Sequence, residues 1–135
     1  MLVLLDTNIC IHLINRRPGF EGVLRRLSGR SFGEICISAI TVSELSYGVA
    51  KSARSSENAA ALDEFLSRFE LLDYPVDAAA TYGRIRADLE RTGKPIGNND
   101  LLIAAHALAI GARVATSNTR EFERVRGLKV VDWLA

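Results

Sequence analysis

Asp6, Glu44 and Asp100 are the residues with the clearest capacity for chemistry. Each has an ordinary structural explanation. Asp6 can cap a helix. Glu44 fits the return arm of a capping box with Thr41 as the cap, and Asp100 suits the positive end of a helix dipole. Taken together, capping does not explain a convergence of acids. Carboxylates a few ångströms apart repel and raise one another's pKa. A bound divalent cation removes that conflict, and oxygen donors without a Cys or His pair suit Mg2+ or Mn2+.

Other chemistries find less support. Gly93-Lys94-Pro95 lacks the glycine spacing and the following Ser/Thr of a phosphate-binding loop. No Gly-x-Ser-x-Gly is present. Cys10-x-His12 is not a usual metal spacing, and no Cys-x-x-Cys occurs. Cys10 and Cys36 lie in apolar strings and are expected as buried free thiols.

The elements that must position the acids follow from the apolar pattern. Leu2–Leu5 is a wholly apolar run, as in a strand covered on both faces. A helix runs from about Asp6 to Arg16, before Pro18, and a short one carries Val23, Leu24 and Leu27. Ile35–Ile37 reads as the second strand, with a helix opening at Thr41. Residues 56–69 and 77–91 repeat at helical period, and Glu70–Leu72 reads as a short edge strand. Asn98-Asn99 are expected to cap an apolar helix, Asp100 to Ile110, that stops at Gly111. Arg113–Thr116 and Leu128–Val131 complete the strands. Strands alternating with helices indicate a parallel sheet in a three-layer α/β/α domain filling residues 1–135. In such a domain helix N-termini gather where strands end, and ligands bind outside that edge. Asp6, Glu44, Asp100, Asn118 and Glu121 should face it; whether they share one cleft depends on strand order.

Composition narrows the class further. Formal net charge is +1, so no global positive field argues for nucleic acid. The basic residues are nearly all arginine, which suits local phosphate contact. Apolar residues reach 48%, a richness that leaves room for a further buried interface. The N-terminus has no basic n-region, and the apolar run at 101–112 is too short to span a bilayer. A cytoplasmic protein is expected.

Four segments carry a resemblance. Leu4-Leu5-Asp6-Thr7-Asn8-Ile9, Ile37 to Leu45 with Tyr47-Gly48, Pro95 to Ala107, and Ala115 to Phe122 are similar, in order and spacing, to the four motifs of PIN-domain ribonucleases. Within that superfamily the wording most resembles VapC-type toxins. The resemblance implies a PIN-like α/β/α fold with a parallel sheet of four or five strands. It implies an Mg2+-dependent (or Mn2+-dependent) endoribonuclease cutting an exposed loop of tRNA or ribosomal RNA, leaving 5′-phosphate and 3′-hydroxyl ends. Asp6, Glu44 and Asp100 would be the catalytic acids, with Asp6 and Asp100 on the metal. Thr7, Asn8 and Thr116 would hydrogen-bond the carboxylates. The fourth motif often has an Asp where this chain has Asn118, which puts a second metal in doubt; Glu121 is the candidate substitute. Arg84, Arg86 and Arg120 are candidates for holding the RNA backbone, and His106 is expected to be structural. The resemblance also implies a homodimer and a VapB-type antitoxin through which operator DNA is bound. Two rivals stand beside it: a catalytically weak PIN-like RNA-binding or regulatory module, and a phosphohydrolase using Asp6 as nucleophile.

Overall fold

The computed structural model describes residues 2–134. The order is β1 (Val3–Leu5), α1 (Thr7–Ile14), α2 (Phe20–Leu27), β2 (Ile35–Ser38), α3 (Ala39–Ala50), α4 (Ser55–Leu66), β3 (Glu70–Leu72), α5 (Ala78–Arg91), α6 (Asn98–Ile110), β4 (Arg113–Ala115), α7 (Thr119–Phe122) and β5 (Val130–Val131). The five strands form one parallel sheet in the order β3-β2-β1-β4-β5.

Strand side chains alternate between two cores. Leu4, Cys36 and Val114 point to the layer of α5 and α6, where Ile85, Leu89, Leu101 and Ile103 meet them. Val3, Leu5, Ile35, Ile37 and Ala115 point to the opposite layer, against Ile9, Val23, Leu45, Leu62 and Trp133. With both faces covered, the central strands must be apolar at every position. Trp133 is therefore a core residue, with the Arg30 guanidinium 5.4 Å from its ring centre.

Strand order decides where the site lies. From β1 the chain moves outward to β2 and β3, then returns to place β4 on the other side of β1. Connections diverge at this β1–β4 boundary and leave a crevice beyond the strand ends. Asp6 leaves β1 and Thr116 leaves β4 at that crevice.

Two helix starts differ from expectation. The α3 cap is Ser38, whose Oγ accepts from the Ile40 amide at 3.1 Å, and not Thr41, which is buried inside the first turn. The last strand residue supplies the cap directly, so α3 begins earlier. Glu44 consequently lies in the second turn and cannot close a capping box. Gly97, not Asn98-Asn99, occupies the N-cap position of α6, which places Asp100 third in the helix. Gly111 ends α6 with φ +70°, a conformation glycine adopts without a Cβ clash. The final strand contracts to Val130–Val131. Among the described residues, no helix is long and apolar enough to cross a membrane.

Candidate active site

Asp6 is almost fully buried, at 2% exposure. It holds the N-cap position of α1, yet its carboxylate makes no capping hydrogen bond. Its Oδ2 instead accepts from the Thr116 hydroxyl at 2.8 Å. Thr116 Oγ1 in turn accepts from the Asn118 backbone N–H at 2.9 Å, which orients its own proton toward Asp6. Burial pushes the Asp6 pKa up, the Thr116 hydrogen bond opposes that, and the charges of Glu44 and Glu121 push it further up.

Glu44 approaches from α3. Its Oε1 accepts from the Thr7 hydroxyl at 2.7 Å, and the Thr41 hydroxyl lies 3.5 Å from the same Thr7 oxygen. Thr7 thus ties the start of α1 to the second turn of α3.

Asp100 approaches from α6. Burial first, then a hydrogen bond shared with Glu121 and the charges of Asp6, Glu121 and Glu44, push its pKa up to about 7. Glu121 is held below the ordinary carboxylate range by the Asn118 amide and by Asp100. The Asn118 Nδ2 donates to Glu121 Oε2 at 2.8 Å and reaches Asp100 Oδ2 at 3.5 Å. Asn118 stands between two carboxylates as a donor, where another acid would add to their repulsion. Of the two, Asp100 is the acid that keeps its proton toward neutral pH and Glu121 the one that stays charged.

Asp6, Glu44 and Asp100 line one cleft of about 940 Å3 together with Thr7, Asn8 and Asn99. Thr116, Asn118 and Glu121 do not line it and are linked to its acids through the hydrogen bonds above. The candidate arginines do not line it. Arg86 is occupied on α5 by Glu90 and the Tyr82 hydroxyl, while Arg17 and Lys51 are the cations of the cleft wall. His106 lies outside the cleft, buried, with Nδ1 2.9 Å from Ser38 Oγ.

Sequence reasoning passed over Ser38 and Lys51 and gave Asn99 only a capping role. Lys51 was within reach of it, because Glu44, Tyr47 and Lys51 fall at i, i+3 and i+7 of one helix and so share a face.

The donor set suits a hard cation. Among the described residues, no group of three or more His, Cys, Asp or Glu side chains forms a ready-made cage. Magnesium does not require one, since it keeps several waters and is held through one or two carboxylates. Three acids, Asp6, Glu121 and Glu44, raise the Asp100 pKa by their charges, which marks a site short of positive charge.

A parallel α/β/α sheet with acids gathered at its switch point defines a PIN-type domain. The PIN domain family model matches residues 3–128, and the chain belongs to this family. Within it the similarity is to VapC ribonucleases. The chain is 45% identical over 130 residues to the tRNA(fMet)-specific endonuclease VapC of Shigella flexneri, covering 96% of each protein. It is 46% identical over 131 residues to ribonuclease VapC2 of Haemophilus influenzae, covering 97% of each. In structure it superposes on a chain of the DNA-bound VapBC complex from Salmonella typhimurium with a TM-score of 0.91 and 45% identity, over 98% of this chain and 99% of that one.

Proposed function

We propose that this chain is a VapC-type toxin, a divalent-metal-dependent endoribonuclease whose residues 1–135 act as one catalytic unit in the cytoplasm. The observation that carries the reading is the shared cleft: Asp6, Glu44 and Asp100 reach it from three different elements. Near-full-length identity to a tRNA(fMet)-specific endonuclease supports RNA as substrate, with tRNA the favoured class.

In this reading Asp6 and Asp100 would hold Mg2+, or Mn2+, directly or through water. Bound there, the cation would supply an activated water and positive charge for the phosphate oxygens. Glu44 orients the attacking water, and Thr7 fixes the carboxylate that does so. Thr116 fixes Asp6 in the same way. Such hydrogen bonds to ligand carboxylates set both their direction and their basicity. Asn118 keeps Glu121 and Asp100 together without a further negative charge. Glu121 is thereby a supporting acid, and one tightly held cation suffices.

The partner reading follows the relatives. The DNA-bound VapBC complex of Salmonella supports a VapB-type antitoxin as partner and DNA as a target of the assembly; in the reading proposed here the antitoxin covers the cleft, the toxin pairs as a homodimer, and operator DNA is engaged through the antitoxin.

The test is cleavage of total RNA by purified, antitoxin-free protein with and without Mg2+, with sequencing of the cut ends. Asp100→Asn should fold and fail to cut. Undiminished cutting by that variant would reject the site, and activity on small phosphate esters alone would favour a phosphohydrolase.

A further inference from the structure

The acids account for one end of the cleft; the far wall carries a different chemistry. Glu44, Tyr47 and Gly48 of α3 and its C-cap residue Lys51 fall at i, i+3, i+4 and i+7, and all four line the cleft. Tyr47 is 66% exposed, an unusual state for a ring on the wall of a 940 Å3 cleft. It stands one helical turn from Glu44, about 5–6 Å between Cβ atoms. The Lys51 ammonium lies 4.8 Å from its ring centre. Arg17 adds a second cation to the same wall.

Gly48 is the independent observation. It is an interior helical residue, where glycine weakens a helix relative to alanine. No packing explains it, because a Cβ built there meets no atom within 4 Å. Its backbone conformation is helical and requires no glycine. A glycine that the fold does not need, on a cleft wall beside an exposed ring, leaves space for a ligand to press against the helix backbone.

We propose that Tyr47, Gly48 and Lys51 form a nucleotide subsite: an unpaired RNA base stacks on the Tyr47 ring, its sugar–phosphate backbone runs close over Gly48, and Lys51 meets a phosphate. This rests on the endoribonuclease reading and specifies which feature of the RNA is gripped. A base inside a duplex cannot offer its face to the ring, so the subsite selects an unstacked nucleotide next to the scissile bond. A run of seven residues carries the subsite about 10 Å along α3 from Glu44. Stacking tolerates any base, so the subsite favours an unpaired loop without dictating its sequence.

The experiment uses antitoxin-free protein and an initiator tRNA transcript. Two quantities are measured: binding by fluorescence anisotropy in chelator, and steady-state cleavage with Mg2+. Tyr47→Ala should weaken binding and raise KM by about 5- to 150-fold, with kcat little changed. Tyr47→Phe and Tyr47→Trp should restore both, and the Trp variant's fluorescence should be quenched on adding RNA. Gly48→Ala should raise the melting temperature and yet weaken binding, a pairing that a merely structural glycine would not give. Lys51→Ala should flatten the salt dependence of binding. Tyr47→Ala binding as tightly as wild type, or Tyr47→Phe as impaired as Tyr47→Ala, would overturn the subsite. Gly48→Ala binding normally would remove the close backbone approach and overturn the proposal as stated. Wild-type protein that neither binds nor cuts the transcript or any RNA of a total-RNA mixture would instead sink the ribonuclease reading.

Discussion

Thr116 and Asp6 are 110 residues apart in sequence and 2.8 Å apart in the fold, joined by a buried hydrogen bond across the β1–β4 boundary. The contact exists because the chain returns to the far side of β1 after β3. Removing the hydroxyl strands two partners, the buried Asp6 carboxylate and the half-buried Asn118 N–H. Thr116→Val, which keeps the shape, should destabilise the protein by about 1–3 kcal/mol. It should also raise the Asp6 pKa, because the hydrogen bond favours the charged form. The acid limb of the cleavage pH profile should then move to higher pH. Denaturant melts and a pH–rate profile check the two effects, and an unmoved limb would show that Asp6 does not depend on this bond.

The raised Asp100 pKa makes metal binding a proton exchange. Near pH 7 the carboxyl is about half protonated, and a cation must displace that proton. Apparent Mg2+ affinity should therefore rise with pH up to and just beyond 7, then level off. Calorimetric titrations in buffers of different ionisation enthalpy should detect proton release, and Asp100→Asn should abolish it. An Mg2+ affinity flat between pH 6 and pH 8 would contradict an Asp100 that keeps its proton toward neutral pH.

Much of this site was legible in the chain because its acids sit at strand ends and helix starts, where residue type and apolar pattern are informative. Asp6 after Leu2–Leu5 and Asp100 before Leu101-Leu102-Ile103 needed only that pattern. The edge strand at Glu70–Leu72 and the stop at Gly111 followed from the same reading. What escaped was set by contacts between distant segments. Ser38 looks like the end of a strand, and its capping of α3 depends on how β2 turns into the helix. Arg86 looks as available as Arg17, yet Glu90 and Tyr82 occupy it on α5. Strand order, which alone puts Thr116 beside Asp6, leaves no trace in local periodicity.

Asn118 offers a direct test of charge balance. Its amide donates to both Glu121 and Asp100, so Asn118→Asp replaces a donor with a further acceptor carrying negative charge. The metal-free protein should lose stability through like-charge repulsion. Saturating Mg2+ should recover more stability in the variant than in the wild type, since the extra charge calls for more cation. Thermal melts with chelator and with Mg2+ give the comparison. Equal Mg2+ stabilisation of both proteins would mean that Asn118 lies outside the influence of the cation.

His106 and Asp100 share α6 and oppose one another in their effect on stability with pH. Burial lowers the His106 pKa from 6.5, so the unfolded chain binds the extra proton. Its contribution is full above 6.5 and is lost as pH falls through the lowered folded value. Asp100 is raised from 3.8 to about 7, so here the folded chain binds the extra proton. Its contribution is full below 3.8 and is lost as pH rises toward 7, moderated by solvent screening of a partly exposed carboxyl. In the metal-free wild type the two slopes partly cancel over the interval just below pH 6.5. Asp100→Asn should leave only Asp6 opposing the His106 slope, so that stability in chelator rises with pH relative to the wild type across that interval. His106→Asn should unmask the other, so that stability falls with pH, on top of an overall loss of about 1–3 kcal/mol from the broken Ser38 contact. Denaturant melts at a series of pH values separate the curves. Parallel curves for the two variants would place the titrating groups elsewhere.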